Sequence, residues 1–77
     1  MRIEIILFGQ LAEIAGSNNI TIDDIKDTDE LEKKVNKLYP AMSGIKYIIA
    51  VDKKNIHTNT SLNEKTSVAL LPPFSGG

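Results

Sequence analysis

An α+β domain, with one mixed sheet of four to five strands and one main helix packed across it, is the fold this chain predicts. Three observations carry that expectation. Short runs of strand character recur at 2–8, 20–22, 45–51 and 66–71. A single longer stretch, 27–39, repeats its apolar residues with helical period. The elements alternate as strand, short helix, strand, helix, strand, weak strand, strand within only 77 residues. That length makes one domain, and such a domain buries only about 60–65% of its unfolded surface. A balance of 42% hydrophobic and 25% charged residues is enough for one well-made core.

The first element, Arg2-Ile3-Glu4-Ile5-Ile6-Leu7-Phe8, is rich in β-branched and aromatic residues and stops at Gly9. By the period of two, Ile3, Ile5 and Leu7 share one face and Glu4, Ile6 and Phe8 the other. That second face is mixed, as suits a surface near solvent or a partner. From Gln10 to Ala15, Leu11, Ile14 and Ala15 fall at helical spacing, and Gly16 closes a short helix. Ser17-Asn18-Asn19 is turn chemistry, and Ile20-Thr21-Ile22 a short alternating strand.

Asp27 starts the main helix, with Asp27-Thr28-Asp29-Glu30 as a capping box. Leu31, Val35, Leu38 and Tyr39 form one apolar stripe. Lys33, Lys34 and Lys37 follow the acidic first turns, complement the macrodipole and are expected to make a solvated face, not a site for an acidic partner. Pro40 ends the helix. Ile45 to Val51 is the third strong strand and Asp52-Lys53-Lys54-Asn55 its turn; Ile56 opens a weak polar stretch to Thr60. Leu62 is expected to plug the core from a loop, and Thr66 to Leu71 forms the last strand. The first and last strands are the most apolar and belong at the sheet centre. Such an arrangement is a β-grasp.

The end of the chain departs from this pattern. Pro72 and Pro73 have no N–H for a sheet ladder, and each keeps its predecessor extended. The expected division is therefore a domain over 1–71 and an extended tail over 72–77. Six extended residues reach roughly 20 Å, enough to cross a partner's surface. Gly76 and Gly77 lack a Cβ and can pass a channel that a side chain would block. The α-carboxylate of Gly77 is the candidate reactive group. Phe74 cannot easily turn back past two prolines, and fits a partner groove as an aromatic anchor. Phe8 and Leu71 fit either a docking patch or the core.

Other chemistries find little support. A net charge of −1 gives no electrostatic basis for nucleic-acid binding. The four aromatics, Phe8, Tyr39, Tyr47 and Phe74, make no base-stacking pattern. No apolar stretch approaches a bilayer span and no signal-peptide pattern opens the chain, so a cytoplasmic location is expected. With no cysteine there is no disulfide, zinc thiolate or thiol nucleophile. His57 stands alone in a polar stretch and reads as a surface histidine. No phosphate loop, Ser-His-Asp set or paired acid supports an independent enzyme.

Two segments carry a family resemblance. Ile5-Ile6-Leu7-Phe8-Gly9-Gln10-Leu11-Ala12-Glu13-Ile14-Ala15-Gly16 and Val68-Ala69-Leu70-Leu71-Pro72-Pro73-Phe74-Ser75-Gly76-Gly77 resemble the opening and closing motifs of the small subunits of molybdopterin synthase, a family of ubiquitin-like sulfur carriers. Ile49-Ala50-Val51 fits that family's mid-chain strand. Two places depart from the pattern: Asp52 stands where an asparagine is frequent, and Glu64-Lys65-Thr66 replaces an Asp-Gly-Asp turn, implying another turn geometry.

The resemblance implies that an adenylating, E1-like activating enzyme uses ATP to adenylate the Gly77 carboxylate. Sulfur from a persulfide then replaces AMP and leaves a thiocarboxylate. The large subunit of molybdopterin synthase accepts the tail and moves sulfur onto cyclic pyranopterin monophosphate. Gly77 would bear the sulfur and Gly76 give steric access. Ser75, Phe74, Pro73, Pro72, Leu71 and Phe8 would contact partners. The chain itself would bind no cofactor or metal, and would be the non-catalytic sulfur-donor subunit of a sulfurtransferase complex. Alternatives are a carrier for thiamine or a tungsten pterin, a ubiquitin-like modifier conjugated through Gly77, or a β-grasp interaction domain with an idle tail.

Overall fold

The computed structural model describes residues 2–72. The first strand, β1 (Arg2–Leu7), buries Ile3, Ile5 and Leu7 almost completely. A short helix, α1 (Gln10–Ala15), sends Leu11 into the same core. Gly16 ends it in the left-handed region at φ +75°, and its N–H donates to the carbonyls of Ala12 (2.9 Å) and Glu13 (3.3 Å). The chain returns as β2 (Asn19–Asp23), antiparallel to β1, with Ile22 buried.

The main helix, α2 (Thr28–Leu38), starts where Asp27 accepts the Glu30 N–H at 2.9 Å. The capping box is modified: the Glu30 carboxylate accepts from Lys26 N–H at 3.0 Å, one residue before the cap. The loop at 59–62 completes the helix start. Thr28 is buried, and its hydroxyl accepts from Thr60 N–H at 2.9 Å while its own N–H donates to the Thr60 carbonyl. The Asn59 side-chain oxygen accepts from Asp29 N–H at 3.0 Å. Those bonds satisfy donors that a helix leaves unpaired at its start, and they set Leu62 in the core as expected.

Several boundaries differ from the sequence expectation: the last strand begins at Val68 and not at Thr66, and the weak strand expected to open at Ile56 ends there. Leu38 does not join the buried stripe but is 59% exposed. The chain turns instead into a 3₁₀ helix over Pro40–Gly44, and Met42 is wholly buried. The third strand, β3 (Ile48–Val51), begins three residues later than expected. Ile45 N–H is occupied in closing the 3₁₀ turn on the Met42 carbonyl, and Ile48 already pairs with Leu71, the last residue of the final strand. The turn after β3 is shorter than expected, because Lys54 and Asn55 pair with Val51 and Ala50 in β4 (Lys54–Ile56). Asp52 and Lys53, at φ +51° and +70°, alone make the reversal, the double left-handed geometry of a two-residue hairpin.

The last strand, β5 (Val68–Leu71), lies parallel to β1 and antiparallel to β3, giving the mixed order β2-β1-β5-β3-β4. The final strand is central and the first lies beside it, as their apolar character demands. Before β5, the Asn63 carbonyl accepts from Thr66 N–H, and its side-chain oxygen accepts from Lys65 N–H. Left-handed backbone outside glycine is confined, among the described residues, to Asp24, Asp52 and Lys53. The turn over 63–66 thus closes without a glycine or a left-handed residue.

Candidate functional site: the exit of the central strand

Gly9 and Pro72 meet where β5 ends. Phe8 N–H donates to the Leu70 carbonyl at 3.2 Å, so the β1–β5 ladder runs one residue beyond β1. Gly9 then turns through φ +56°, ψ −131°, a conformation open essentially to glycine alone. A Cβ placed there would stand 2.8 Å from Pro72 Cγ. Gly9 therefore does two things at once: it bends the chain into α1 and makes the seat on which Pro72 leaves the sheet. The opening and closing motifs, represented by Gly9 and Pro72 at 63 positions' separation in the sequence, come together at one corner.

The sheet face away from the helices is apolar at this same end. The alternation that buries Ile5, Leu7 and Leu70 turns Ile6, Phe8, Ala69 and Leu71 outward, and β3 adds Ile48 and Ala50. Phe8 is 46% exposed, while Ile6, Ile48, Ala69 and Leu71 are half-buried. Of the two readings open for Phe8, the structure places it on the surface and not in the core. At the far end this face becomes polar, with Glu4 opposite Thr21 and Arg2 bound to Asp23 at 3.2 Å. The apolar half thus adjoins the chain's exit. Phe8, Leu71 and Pro72 lie together there, whereas Pro73, Phe74, Ser75, Gly76 and Gly77 fall outside the described residues.

Asp52 and Tyr47 make their bonds elsewhere, at the entry of β5 and on α2. Asp52 accepts from Ser67 N–H at 2.9 Å and returns its own N–H to the Ser67 carbonyl at 2.8 Å, fixing the entry of β5. The residue that departs from the family pattern still makes a structural bond there, which sequence alone does not signal. Tyr47 donates to the Asn36 side-chain oxygen at 3.2 Å. Burial, and secondarily the Glu32 carboxylate, push its phenol up to about 12. His57 is exposed, and among the described residues no three His, Cys, Asp or Glu side chains gather into a metal-binding group. No helix among them is long and apolar enough to cross a membrane. The arrangement thus offers an apolar platform beside the point where Pro72 leaves the sheet.

The ThiS family model matches residues 5–77. The molybdopterin synthase sulfur carrier subunit of Caenorhabditis elegans is 32% identical over 81 aligned positions, covering 97% of this chain and 96% of that protein. Among solved structures, a putative molybdopterin converting factor subunit 1 from Pyrococcus furiosus superposes with a TM-score of 0.86 at 15% identity, over 95% of this chain and 98% of that one. A structure of small archaeal modifier protein 1 from Haloferax volcanii gives 0.80 at 24% identity, with both chains fully covered. A complex of subunits 1 and 2 of the molybdopterin-converting factor from Helicobacter pylori contains a chain matching at 0.70 and 28% identity, again with full coverage of both. The ubiquitin-like β-grasp architecture is common to this set.

Proposed function

The chain belongs to the ThiS family, and on that footing we propose that it is the sulfur-carrier subunit of molybdopterin synthase, loaded at the Gly77 carboxylate. The observation that carries this reading is the corner where Pro72 sits on Gly9 beside exposed Phe8. A carrier must present its terminus to successive partners through one reusable platform. An apolar face adjoining a proline-stiffened exit suits that task.

In the proposed cycle, a Gly77 carboxylate oxygen attacks the α-phosphorus of ATP on an adenylating partner, and pyrophosphate leaves. An α-carboxyl with a pKa of roughly 3.5 is ionised at neutral pH and ready for that attack. The outer sulfur of a partner's persulfide displaces AMP at the acyl carbon, giving an acyl disulfide. A second partner thiol then cleaves its S–S bond, releasing the thiocarboxylate and leaving a disulfide on the partner. With no cysteine in the chain, the terminus is its natural sulfur store. The large synthase subunit docks on Ile6, Phe8, Ile48 and Leu71, takes Phe74 as an anchor, and threads Ser75, Gly76 and Gly77 to the pterin precursor. Catalytic side chains belong to the partners, ATP is used by the activating enzyme, and this chain holds no cofactor. The pathway operates in the cytoplasm.

The test is transfer from a chemically prepared thiocarboxylate. The loaded chain is mixed with a large synthase subunit and cyclic pyranopterin monophosphate. Molybdopterin formation, with return of the Gly77 carboxylate, is the expected result. Absence of molybdopterin, with sulfur released as sulfide while the Gly77 carbonyl becomes joined to protein lysines, would replace this reading with that of a protein modifier.

A further inference from the structure

Leu38, the other large hydrophobic side chain exposed among the described residues, lies away from the exit platform, and the proposed sulfur chemistry does not use it. It lines a groove of about 380 Å³ with Thr21, Ile22, Asp23, Lys34 and Lys37. One wall is the last turns of α2; the other is β2, an edge strand of the sheet.

The pairing register shows which backbone groups of β2 face outward. Leu7 N–H donates to the Asn18 carbonyl at 2.7 Å, so Leu7–Asn18 is a hydrogen-bonded pair. Such pairs alternate along an antiparallel ladder, which makes Ile5–Ile20 and Ile3–Ile22 the next ones. Asn19, Thr21 and Asp23 therefore turn their N–H and C=O groups away from β1. Two contacts agree: Asn19 N–H donates to Ser17 Oγ, and the Asp23 carbonyl accepts from Lys34 Nζ. These side chains cover both ends of the edge. Between them the Asn19 carbonyl, both groups of Thr21 and the Asp23 N–H have no partner among the described residues. That leaves an open stretch of edge long enough for a short added strand.

Charge selects what fits there. The helix wall contributes Lys34 and Lys37, and the strand wall Asp23. The Asp23 carboxylate is held by Arg2, whose strand position opposite Asp23 puts both on the outer face of the sheet. A second copy pairing through its own β2 would bring further lysines against these two. We propose that the β2 edge and the Leu38 groove form a docking site for an extended acidic segment of a partner protein. The segment adds to β2 as a strand, sets an apolar side chain on Leu38 and places carboxylates beside Lys34 and Lys37. Main-chain bonds supply affinity in such a mode, and alternate side chains supply selectivity.

This site is independent of sulfur loading and is tested without it. A blocked peptide alternating valine and glutamate is titrated into the ¹⁵N-labelled full chain. The expected result is shifts at Thr21, Ile22, Asp23, Lys37 and Leu38, with slowed exchange of the Thr21 amide and unmoved amides at Phe8 and Leu71. Leu38→Glu and Lys37→Glu, both at exposed positions and each checked for a native amide spectrum, should weaken binding about tenfold. No shifts at millimolar peptide would overturn the proposal. So would shifts centred on Phe8 and Leu71, or equal binding of a peptide with lysine in place of glutamate.

Discussion

Tyr47 keeps its proton well into the alkaline range because burial, and then the Glu32 carboxylate, raise its phenol from 10.0 to about 12. Its folded pKa lies above the unfolded one, so the folded state binds the extra proton between those values. The stabilisation is fully present below pH 10.0 and is lost as pH rises towards about 12. Denaturant titrations across that window should show stability falling, and Tyr47→Phe should flatten the fall. A second residue-scale prediction concerns Gly9. Gly9→Ala must strain a backbone at φ +56° and meet Pro72 Cγ, at an expected cost of about 1–3 kcal/mol. Urea unfolding would measure it, and Pro72→Ala should return only the part due to contact. Gly9 stood in the opening motif and could be read as a strand stop. Its contact with Pro72 could not, since nothing local in the sequence joins those two positions.

Among elements, the β3–β4 hairpin was the least legible. Two-residue turns with both φ values positive ordinarily announce themselves through Asn-Gly or Asp-Gly. Here Asp52-Lys53 carries the same geometry, and Lys53 adopts φ +70° with a full side chain. Lys53→Gly should therefore stabilise the domain by about 1 kcal/mol, read as a higher urea midpoint with unchanged slope. The helices were clearer. Asp27 and Gly16 mark their ends by capping chemistry that is local, and both act as expected. Leu38 misled because the helical period continues past the point where Met42 fills the core. Thr28 gave no sign of burial, because its partners Asn59 and Thr60 come from a distant loop.

At the scale of the molecule, the apolar character of the first and last strands pointed to the sheet centre, where the structure has them as neighbours in the order β2-β1-β5-β3-β4; the places of the other three strands were not legible in the sequence. That order brings the chain's exit beside the outward face of β1, with Phe8 exposed and uncharged neighbours around it. The domain therefore has a distinct working end, and the same sheet leaves the β2 edge open on its other side. Docking at the working end should depend on Phe8 without the fold depending on it. Phe8→Asp should keep the thermal midpoint within a few degrees, as surface changes of about 0.5 kcal/mol do, while calorimetric binding to a large synthase subunit is lost. Loss of both together would mean that Phe8 serves the core.

The sulfur-carrier reading meets its most direct test in the intact mass of the chain after incubation with an activating enzyme, ATP and a sulfur source, beside a Gly77-deleted control. A gain equal to the difference between one sulfur and one oxygen atom, seen only when Gly77 is present, is the result predicted. An unchanged mass in both chains, under conditions that load a known carrier, would contradict it.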